Sequence, residues 1–374
     1  MKKVTRLLAV LITLSMVLAL AACGGAQNPP SSTPSGTQNP PSQTPGGTQN
    51  PPSGNSDDSF ADKPEVTLVL TQQDPDASLP GQFCHAWAKA VYEASKGRIK
   101  VDVSNGGSLA GPTESLGFVK DGIVDLAMGL QSFYPGQFQY SDGLSMPYLP
   151  YKDAVHASEV MWKIWEDTDI LQRDTGYEGT KMILIRANSD APIITAKKKL
   201  NTAGDLKGMT IRATTKPLVT FLAELGATGQ GCPITELFQN LQNGAFDGAL
   251  TDWHAVNSFQ LFETASYYAD ERIQFNSYFF LMNEGSYNGL SDENKKVIDD
   301  LSGPAALEIL KDAWDQMKED VRGKIDAQGG EVYALPPEEH QKLLDAADVA
   351  VKAYIAENGE VAQQLVDKII ELCQ

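Results

Sequence analysis

The sequence predicts an α/β protein with two similar lobes, mainly parallel sheets and long helices in its C-terminal third. Three observations predict this class. Strand and helix patterns alternate from Val66 onwards, one helix–turn–strand unit recurs 122 residues later, and the last third has helical spacing. The 374 residues, 42% of them hydrophobic, are enough for two cores of ordinary size, so a disordered protein is excluded.

The charge balance is strongly acidic. There are 30 lysines and arginines against 48 aspartates and glutamates, a net charge of −18, which becomes about −21 without Lys2, Lys3 and Arg6 of the leader. Such a surface repels phosphate backbones and anionic head groups, so we expect neither nucleic acid nor peripheral membrane binding. A small anion would need a local positive site.

The first 22 residues have the order of a secretory signal: basic residues, an apolar run over Leu7–Ala22, and then Cys23. The run is too short for a convincing membrane span. Leu20–Cys23 also resembles the lipobox of bacterial lipoproteins, which implies that Cys23 is lipidated and becomes the new N-terminus. The alternative is an ordinary signal peptide that ends near a cysteine.

Residues 23–60 predict a tether between this anchor and the globular domain. The sequence Gln-Asn-Pro-Pro-Ser occurs at Gln27, Gln38 and Gln49, an 11-residue repeat with no apolar face to bury. A stretch of this composition stays extended and solvated.

The globular part begins with a strand at Val66–Leu70, followed by a helix whose apolar residues include Phe83, Trp87 and Val91. The predicted elements that follow are a strand at Ile99–Val103, a turn at Gly106-Gly107, a short helix at Thr113–Lys120 and a strand at Val124–Met128. This alternation is typical of βαβ units.

The repeated unit aligns Thr113-Glu114, Gly122, Asp125 and Ala127 with Thr235-Glu236, Gly244, Asp247 and Ala249. In each copy we expect a threonine N-cap, a short helix, a glycine in the left-handed conformation and a strand. Two such lobes would place the C-terminal ends of their strands around a shared crevice, where ligands of open α/β sheets bind.

The C-terminal third predicts two long helical stretches. One covers Ser291 to about Lys324 with a break at Pro304, and the other covers Pro337–Leu372 with a break at Asn358-Gly359. Trp314, Met317 and Val321 recur at helical spacing and are interpreted as core contacts.

No strong catalytic motif is present, and we predict neither an enzyme nor a cofactor. Ser108 lies in Gly106–Ala110, which lacks the last glycine of a nucleophile elbow and is interpreted as a turn. The cysteines have no CxxC spacing and the histidines are scattered, so no metal site is predicted. Cys84 and Cys232 are either free thiols or an inter-lobe disulfide.

Arg212 is the most informative candidate residue. It lies at the end of a predicted strand, Met209–Ala213, just before a helix that starts near Pro217. A guanidinium there can hold a carboxylate through two parallel hydrogen bonds, and the helix N-terminus also favours an anion. The alternative is an arginine that caps a neighbouring helix.

Several segments over about residues 65–300 resemble the solute-binding proteins of TRAP (tripartite ATP-independent) transporters, DctP type. The matching segments are Lys96–Ile99, Gly106–Leu109, Val119–Ala127, Met146–Leu149, Asp205–Arg212 and Leu241–Gly248. The resemblance implies a two-lobed periplasmic-binding-protein-like fold with a central cleft that closes on one small organic acid.

Arg212 matches the carboxylate-binding arginine of that family. Thr251, Asp252 and Trp253 follow the second repeated strand, where family members place ligand contacts, and Thr214 lies in the same strand-end segment as Arg212. Trp253 is then a wall of the pocket, or packs structurally. Asp252 holds a hydroxyl, ammonium or cation, or only caps a helix.

In the first lobe, the candidate ligand contacts follow two predicted strands. Gln73 and Asp74 come just after the first strand, and Gln131 and Phe133 come just after Met128. Because strand ends meet at the crevice, we expect these side chains to face it.

One departure from the family narrows the range of expected ligands. Some members carry a second arginine in a Gly-x-Arg context upstream, but here the segment is Ala187–Pro192, with Arg186 nearby but outside that context. A monocarboxylate with an apolar or hydroxylated body therefore fits better than a dicarboxylate.

The sequence thus predicts a lipid-anchored, extracytoplasmic binding protein that delivers an acid to TRAP membrane subunits and touches the membrane only through its anchor. We expect a binding domain over residues 61–374, with lobe I at about 61–187 and 270–290 and lobe II at about 188–269 with the C-terminal helices. The alternatives are a receptor for an ABC importer or a sensor, and a lipoprotein hydrolase that uses Asp252 and Asp74.

Overall fold

The computed structural model describes residues 60–61, 63–311 and 313–374, which belong to one compact unit, Asp57–Gln374. The signal sequence, Cys23 and nearly all of the tether lie outside the described residues. No described helix is both long enough and apolar enough to span a bilayer.

The described strands are distributed over two sheets. They are β1 Val66–Gln72, β2 Ile99–Ser104, β3 Leu126–Leu130, β4 Thr180–Asp190, β5 Ile193–Thr195, β6 Thr210–Arg212, β7 Thr228–Gln230, β8 Gly248–Leu250, β9 Tyr267–Ala269, β10 Phe275–Asn283 and β11 Glu331–Tyr333. The strand orders are β2-β1-β3-β10-β4 in lobe I and β11-β9-β5-β8-β6-β7 in lobe II.

The helices cover these sheets. They are α1 Leu79–Ala94, α2 Ser115–Lys120, α3 Ala154–Asp167, α4 Lys216–Glu224, α5 Ile234–Asn243, α6 Trp253–Ser258, α7 Glu284–Asn288, α8 Asp292–Asp300, α9 Pro304–Glu308, α10 Ala313–Ala327 and α11 Pro337–Cys373. The predicted α/β class and the helical C-terminal third are therefore both present.

The sheets are mixed, because the strands that connect the two lobes run antiparallel to their neighbours. β4 of lobe I leads through Ala191-Pro192 into β5 of lobe II, and residues 270–274 lead from β9 back into β10. In lobe I, β1 is parallel to β2 and β3, whereas β10 is antiparallel to β3 and β4. The expectation of mainly parallel sheets therefore holds for the βαβ units and not for the crossing strands.

The repeated unit has the same hydrogen bonds in both lobes. The carboxylate of Asp125 accepts from the backbone N–H of Val69 on β1 at 2.7 Å, and that of Asp247 accepts from Thr210 on β6 at 2.8 Å. Gly122 and Gly244 have φ of 68° and 75°, the left-handed conformation predicted for them. Each aspartate thus attaches the start of its own strand, β3 or β8, to the parallel neighbour, β1 or β6.

The predicted threonine N-caps are wrong. The residues at these positions are Glu114 for α2 and Pro233 for α5, and neither caps its helix with a side chain. Glu114 instead accepts from the N–H of Gly111, and Pro233, with φ fixed at −54°, leads directly into the helix. Thr235 consequently lies inside α5.

The C-terminal helices serve both lobes, which corrects their assignment to lobe II. α8 packs on α1 and α9 on α3 and β4 in lobe I, whereas α10 packs on α6 in lobe II. α11 contacts both α3 and α4, and its helical dihedrals are interrupted at Gly359, where a break is predicted. α11 therefore bridges the two lobes.

Aromatic residues of β10 fill the lobe I core. Phe280 meets Trp87 and Phe83 edge-on with ring centroids 4.9 and 5.8 Å apart, and Phe279 stacks on Phe138 at 5.7 Å. All are buried, so the crossing strand is also the centre of the core.

Candidate functional site

The carboxyl ends of four strands, one parallel pair from each sheet, meet at a cavity between the lobes. The residues that line it are Gln73, Leu130, Phe133, Arg212, Ile234, Thr251, Asp252, Ala255, Asn276 and Tyr278. Gln73 follows β1, Leu130 ends β3, Arg212 ends β6 and Thr251 follows β8. Five residues singled out from the sequence are thus brought together: Gln73, Phe133, Arg212, Thr251 and Asp252.

The cavity has a volume of about 10 Å³. This is about the minimum that one buried water molecule needs. An organic acid therefore enters only if the lobes or their side chains move apart.

Among the described residues that line the cavity, Arg212 is the one with a permanent positive charge. It is 2% exposed, and its Nε donates to the backbone oxygen of Cys232 at 3.0 Å. Within the described part of the chain, its terminal nitrogens have no protein acceptor. Burial lowers the pKa of the guanidinium, but from a value so high that it stays charged.

Asp252 is held in place by protein donors. Its Oδ1 accepts from the backbone N–H of Ala255, the N-cap bond of α6, and from Asn188, while Oδ2 accepts from Asn276 at 3.1 Å. Burial acts to raise the pKa of this carboxyl, but His254 and these hydrogen bonds lower it below its ordinary value. Asp252 therefore lines the cavity as an ionised helix cap.

Gln73 and Asp74 differ in their relation to the cavity. Gln73 lines it, and its Oε1 is buried without a hydrogen-bond partner. Asp74 is 2% exposed and lies outside the lining, where burial raises the pKa of its carboxyl. Asp74 thus belongs to the layer behind the site.

Gln131, Trp253 and Thr214 do not line this cavity, which corrects the expectation for each. Gln131 donates to the hydroxyl of Tyr177 at 2.7 Å in lobe I. Trp253 stacks on Tyr268 with centroids 6.0 Å apart and lies under Lys318 of α10. Its ring therefore packs on the far side of α6.

Thr214 instead lines a larger cavity of about 480 Å³, together with Asp142 of lobe I. Burial, and then the charge of Asp174, raise the pKa of Asp142 to about 7. Asp174 itself accepts from the backbone N–H groups of Tyr140 and Ser141, at 2.9 and 2.8 Å.

We expect Asp142→Asn to make the fold less sensitive to pH. The folded chain binds this proton more tightly than the unfolded chain, whose aspartate titrates near 3.8, so the ionisation of Asp142 lowers stability as pH rises from about 4 to about 7. The variant should gain about 4 kcal/mol over the parent at pH 8 and little near pH 4. Urea unfolding of both proteins at pH 4.5, 6 and 8 measures the difference between their free energies of unfolding. A difference that does not grow with pH would contradict the prediction.

The sequence reasoning missed Asn276 and Tyr278, both contributed by β10 to the cavity. They are two residues apart and so share one face of the strand. Arg186 lies behind them, 1% exposed, with its guanidinium 4.9 Å from the Tyr278 ring and its Nη1 donating to Ala187 and Asn188. The second buried arginine is thus engaged by the protein.

The described part of the chain forms neither a metal cluster nor a disulfide. Among the described residues, no group of three or more histidines, cysteines, aspartates or glutamates is placed to hold a metal ion. Cys84, Cys232 and Cys373 are free, so Cys84 and Cys232 do not form a disulfide. Ser108 bonds the backbone oxygen of Asn105 and the hydroxyl of Ser104, as a turn residue does.

The profile of bacterial extracellular solute-binding protein, family 7 (DctP), matches residues 71–358. The chain belongs to this family. Its two-lobed fold is therefore that of a DctP-family solute-binding protein, and the resemblance inferred from short segments is confirmed.

One curated relative is named for the solute that it binds. The 2,3-diketo-L-gulonate-binding periplasmic protein YiaO of Escherichia coli (strain K12) is 22% identical over 210 residues. That match covers 56% of this chain and 63% of YiaO, less than two thirds of its length.

Solved TRAP solute-binding proteins share the fold. One from an unidentified marine microbe, specific for aromatic acids and in complex with 3-hydroxybenzoate, has a TM-score of 0.76 and 26% identity, covering 83% of this chain and 98% of that one. One from Rhodoferax ferrireducens T118, with copurified benzoate, has a TM-score of 0.76 and 24% identity, covering 82% and 97%.

Proposed function

We propose that this protein is an extracytoplasmic lipoprotein that captures a small monocarboxylate between its lobes and delivers it to the membrane subunits of a TRAP transporter. The observation that carries the proposal is Arg212, a buried guanidinium at the inter-lobe cavity whose terminal nitrogens have no protein acceptor among the described residues. A charged donor of this kind is costly to bury unless an anion occupies it.

The rest of the cavity favours an acid with an apolar or aromatic body. Leu130, Phe133, Ile234 and Tyr278 supply its apolar surface. Gln73, with its unpartnered buried Oε1, offers an acceptor to a ligand hydroxyl. A hydroxylated aromatic acid meets both requirements, which agrees with the aromatic acids bound by two structural relatives.

One carboxylate is favoured over two. Arg212 is the arginine in the described lining, and Arg186 already donates to Ala187 and Asn188. A second ligand carboxylate would lie near Asp252, which is kept ionised, and would be repelled.

Capture requires lobe motion. The cavity of about 10 Å³ is too small for a benzoate-sized molecule, so the acid enters an open form and the lobes then close over it. The two crossing segments between strands and the bridging helix α11 are among the places where such motion must be absorbed.

Attachment to the membrane belongs to the same proposal. Leu20–Cys23 supplies a lipobox-like sequence, and the repeats at Gln27, Gln38 and Gln49 supply a tether. Lipidation of Cys23 would hold the binding domain at the extracytoplasmic face, close to its transporter.

We expect one class of acid to stabilise the purified chain against thermal unfolding. The panel is benzoate, 3-hydroxybenzoate, mandelate and glucuronate, with benzamide and benzyl alcohol as uncharged analogues. A ligand at one hundred times its Kd adds about 2.7 kcal/mol, which raises Tm by roughly 5 °C in a domain of this size.

The protein is first unfolded and refolded to remove copurified solute. Stabilisation by an aromatic acid and not by benzamide supports the proposal. If no acid in the panel changes Tm, or if benzamide raises Tm as much as benzoate does, the proposal of carboxylate capture is wrong.

A further inference from the structure

The two crossing segments, Ala191-Pro192 and residues 270–274, lie side by side. The N–H of Ala191 donates to the backbone oxygen of Gln274 at 2.9 Å, and the N–H of Ile273 donates to the backbone oxygen of Ala191 at 2.9 Å. A rotation of one lobe relative to the other must bend both segments together. Side chains that join these segments to one lobe therefore affect how easily the lobes open.

Lys318 of α10 contacts both ends of this connection at once. Its Nζ donates to Oδ2 of Asp190, the last residue of β4, at 2.9 Å and lies 3.6 Å from Oδ1 of Asp270, the first residue after β9. Arg322, one turn further along α10, pairs with Oδ2 of Asp270. Because β4 belongs to the sheet of lobe I and α10 packs on α6 of lobe II, the Lys318–Asp190 ion pair joins the two lobes.

The Lys318–Asp190 pair is partly shielded from water. Its side chains are 22% and 11% exposed, whereas those of Lys296 and Asp300, an ion pair on the surface of α8, are 73% and 59% exposed. Water and salt screen exposed pairs strongly and partly buried pairs much less. Arg272 lies 3.8 Å from the same oxygen of Asp190, but it belongs to a crossing segment and does not connect Asp190 to α10.

The same two cations of α10 also reach the helix that carries part of the cavity at Arg212. Nζ of Lys318 lies 5.5 Å, and the guanidinium carbon of Arg322 lies 5.4 Å, from the centre of the Trp253 ring. A cation within about 6 Å of an indole face is attracted to it. Trp253 is the first residue of α6, and Asp252, the N-cap of that helix, lines the cavity. Lys318 therefore contacts the crossing segments and the start of α6 together.

We propose that Lys318 is a positioning residue for solute capture, a role that rests on the proposed function and on the lobe motion that it needs. The ion pair with Asp190 stabilises the closed arrangement, in which the cavity measures about 10 Å³. An N–H···O hydrogen bond weakens beyond about 3.2 Å, so a shift of roughly 1 Å between β4 and α10 is enough to break this one. The closed arrangement thus keeps an interaction that is lost when the lobes open.

The first test needs no solute. Small-angle X-ray scattering gives the radius of gyration of the full chain, refolded to remove copurified solute, for the parent, Lys318→Met and Lys318→Arg. Methionine removes the charge and keeps an unbranched apolar chain, so we expect a larger radius of gyration. Arginine keeps the charge and should restore the parent value. Lys296→Met removes an exposed lysine that pairs with Asp300 and should change nothing.

The second test uses the acid identified by thermal unfolding. In stopped-flow experiments, Lys318→Met should release this acid about fivefold faster, with little change in the association rate, because the acid leaves only after the lobes open. Asp190→Asn should have a similar effect. The double variant should lose no more than either single variant, as expected for two residues that act through one contact.

Equal radii of gyration for the parent and Lys318→Met would overturn the inference, and so would additive effects of the two single variants on the dissociation rate. Circular dichroism confirms that each variant is folded. If no acid binds, the proposal of acid capture fails, but the scattering result still decides whether Lys318 holds the lobes closed.

Discussion

Replacing Arg212 with methionine is expected to weaken the binding of the captured acid at least 100-fold while the protein stays folded. Methionine keeps much of the volume and removes the charged donors, so the ligand carboxylate loses its two charge-assisted hydrogen bonds. A 100-fold change corresponds to about 2.7 kcal/mol. Isothermal titration of the acid identified by thermal unfolding measures the loss.

Two further variants are needed to interpret this result. Arg212→Lys keeps the charge without the planar fork, so we expect a smaller loss than for methionine. Arg173→Ala removes an exposed arginine of lobe I that pairs with Asp169, and should leave the Kd unchanged. A Kd within threefold of the parent in Arg212→Met would show that the acid binds elsewhere.

Replacing Gly248 with alanine is expected to destabilise the fold by about 3 kcal/mol or more. A Cβ on this residue of β8 would lie 2.2 Å from the backbone oxygen of Ile194 on β5 and 3.1 Å from Ile211 on β6. Backbone atoms in the middle of a sheet cannot yield as a flexible side chain does, so the strands must separate. Urea unfolding at pH 7 gives the change in free energy.

Gly117→Ala is the matched control. Gly117 lies exposed in α2, and a Cβ there meets nothing within 4 Å. Alanine in a helix is favoured over glycine by roughly 0.5–1 kcal/mol, so this variant should be equal to or more stable than the parent. Equal stability of Gly248→Ala and the parent would mean that β5 and β8 are not packed as closely as described.

The sequence predicted the two-lobed plan because the repeated unit carries its own hydrogen bonds. Asp125 and Asp247 are identical in the repeat, and each pins a strand to its parallel neighbour. For β10, the strand that returns to lobe I, the sequence could not show which face is turned towards the cavity. Eight of the nine residues of β10 are buried, so no alternation in its sequence indicates that Asn276 and Tyr278 face the cavity.

The candidate site was predictable where a strand ends directly at a residue, and less so where a helix intervenes. Arg212 ends β6 and Gln73 follows β1, and both line the cavity. Gln131 and Phe133 lie in one turn of 3₁₀-helix, where successive side chains point in different directions, so only Phe133 reaches the cavity. Trp253 is the first residue of α6, and the helix carries its ring away from Asp252.

The position of β10 between β3 and β4 also sets an order of assembly during secretion. Lobe II takes β5 to β9 from one continuous stretch, residues 193–269, so most of its sheet can form as soon as that stretch has crossed the membrane. Lobe I begins earlier in the chain, but β3 keeps an open edge until Phe275–Asn283 arrives. Lobe I, which begins first, therefore closes its sheet only after most of lobe II has been made, and the open edge of β3 is the part of the growing chain that most needs protection from aggregation.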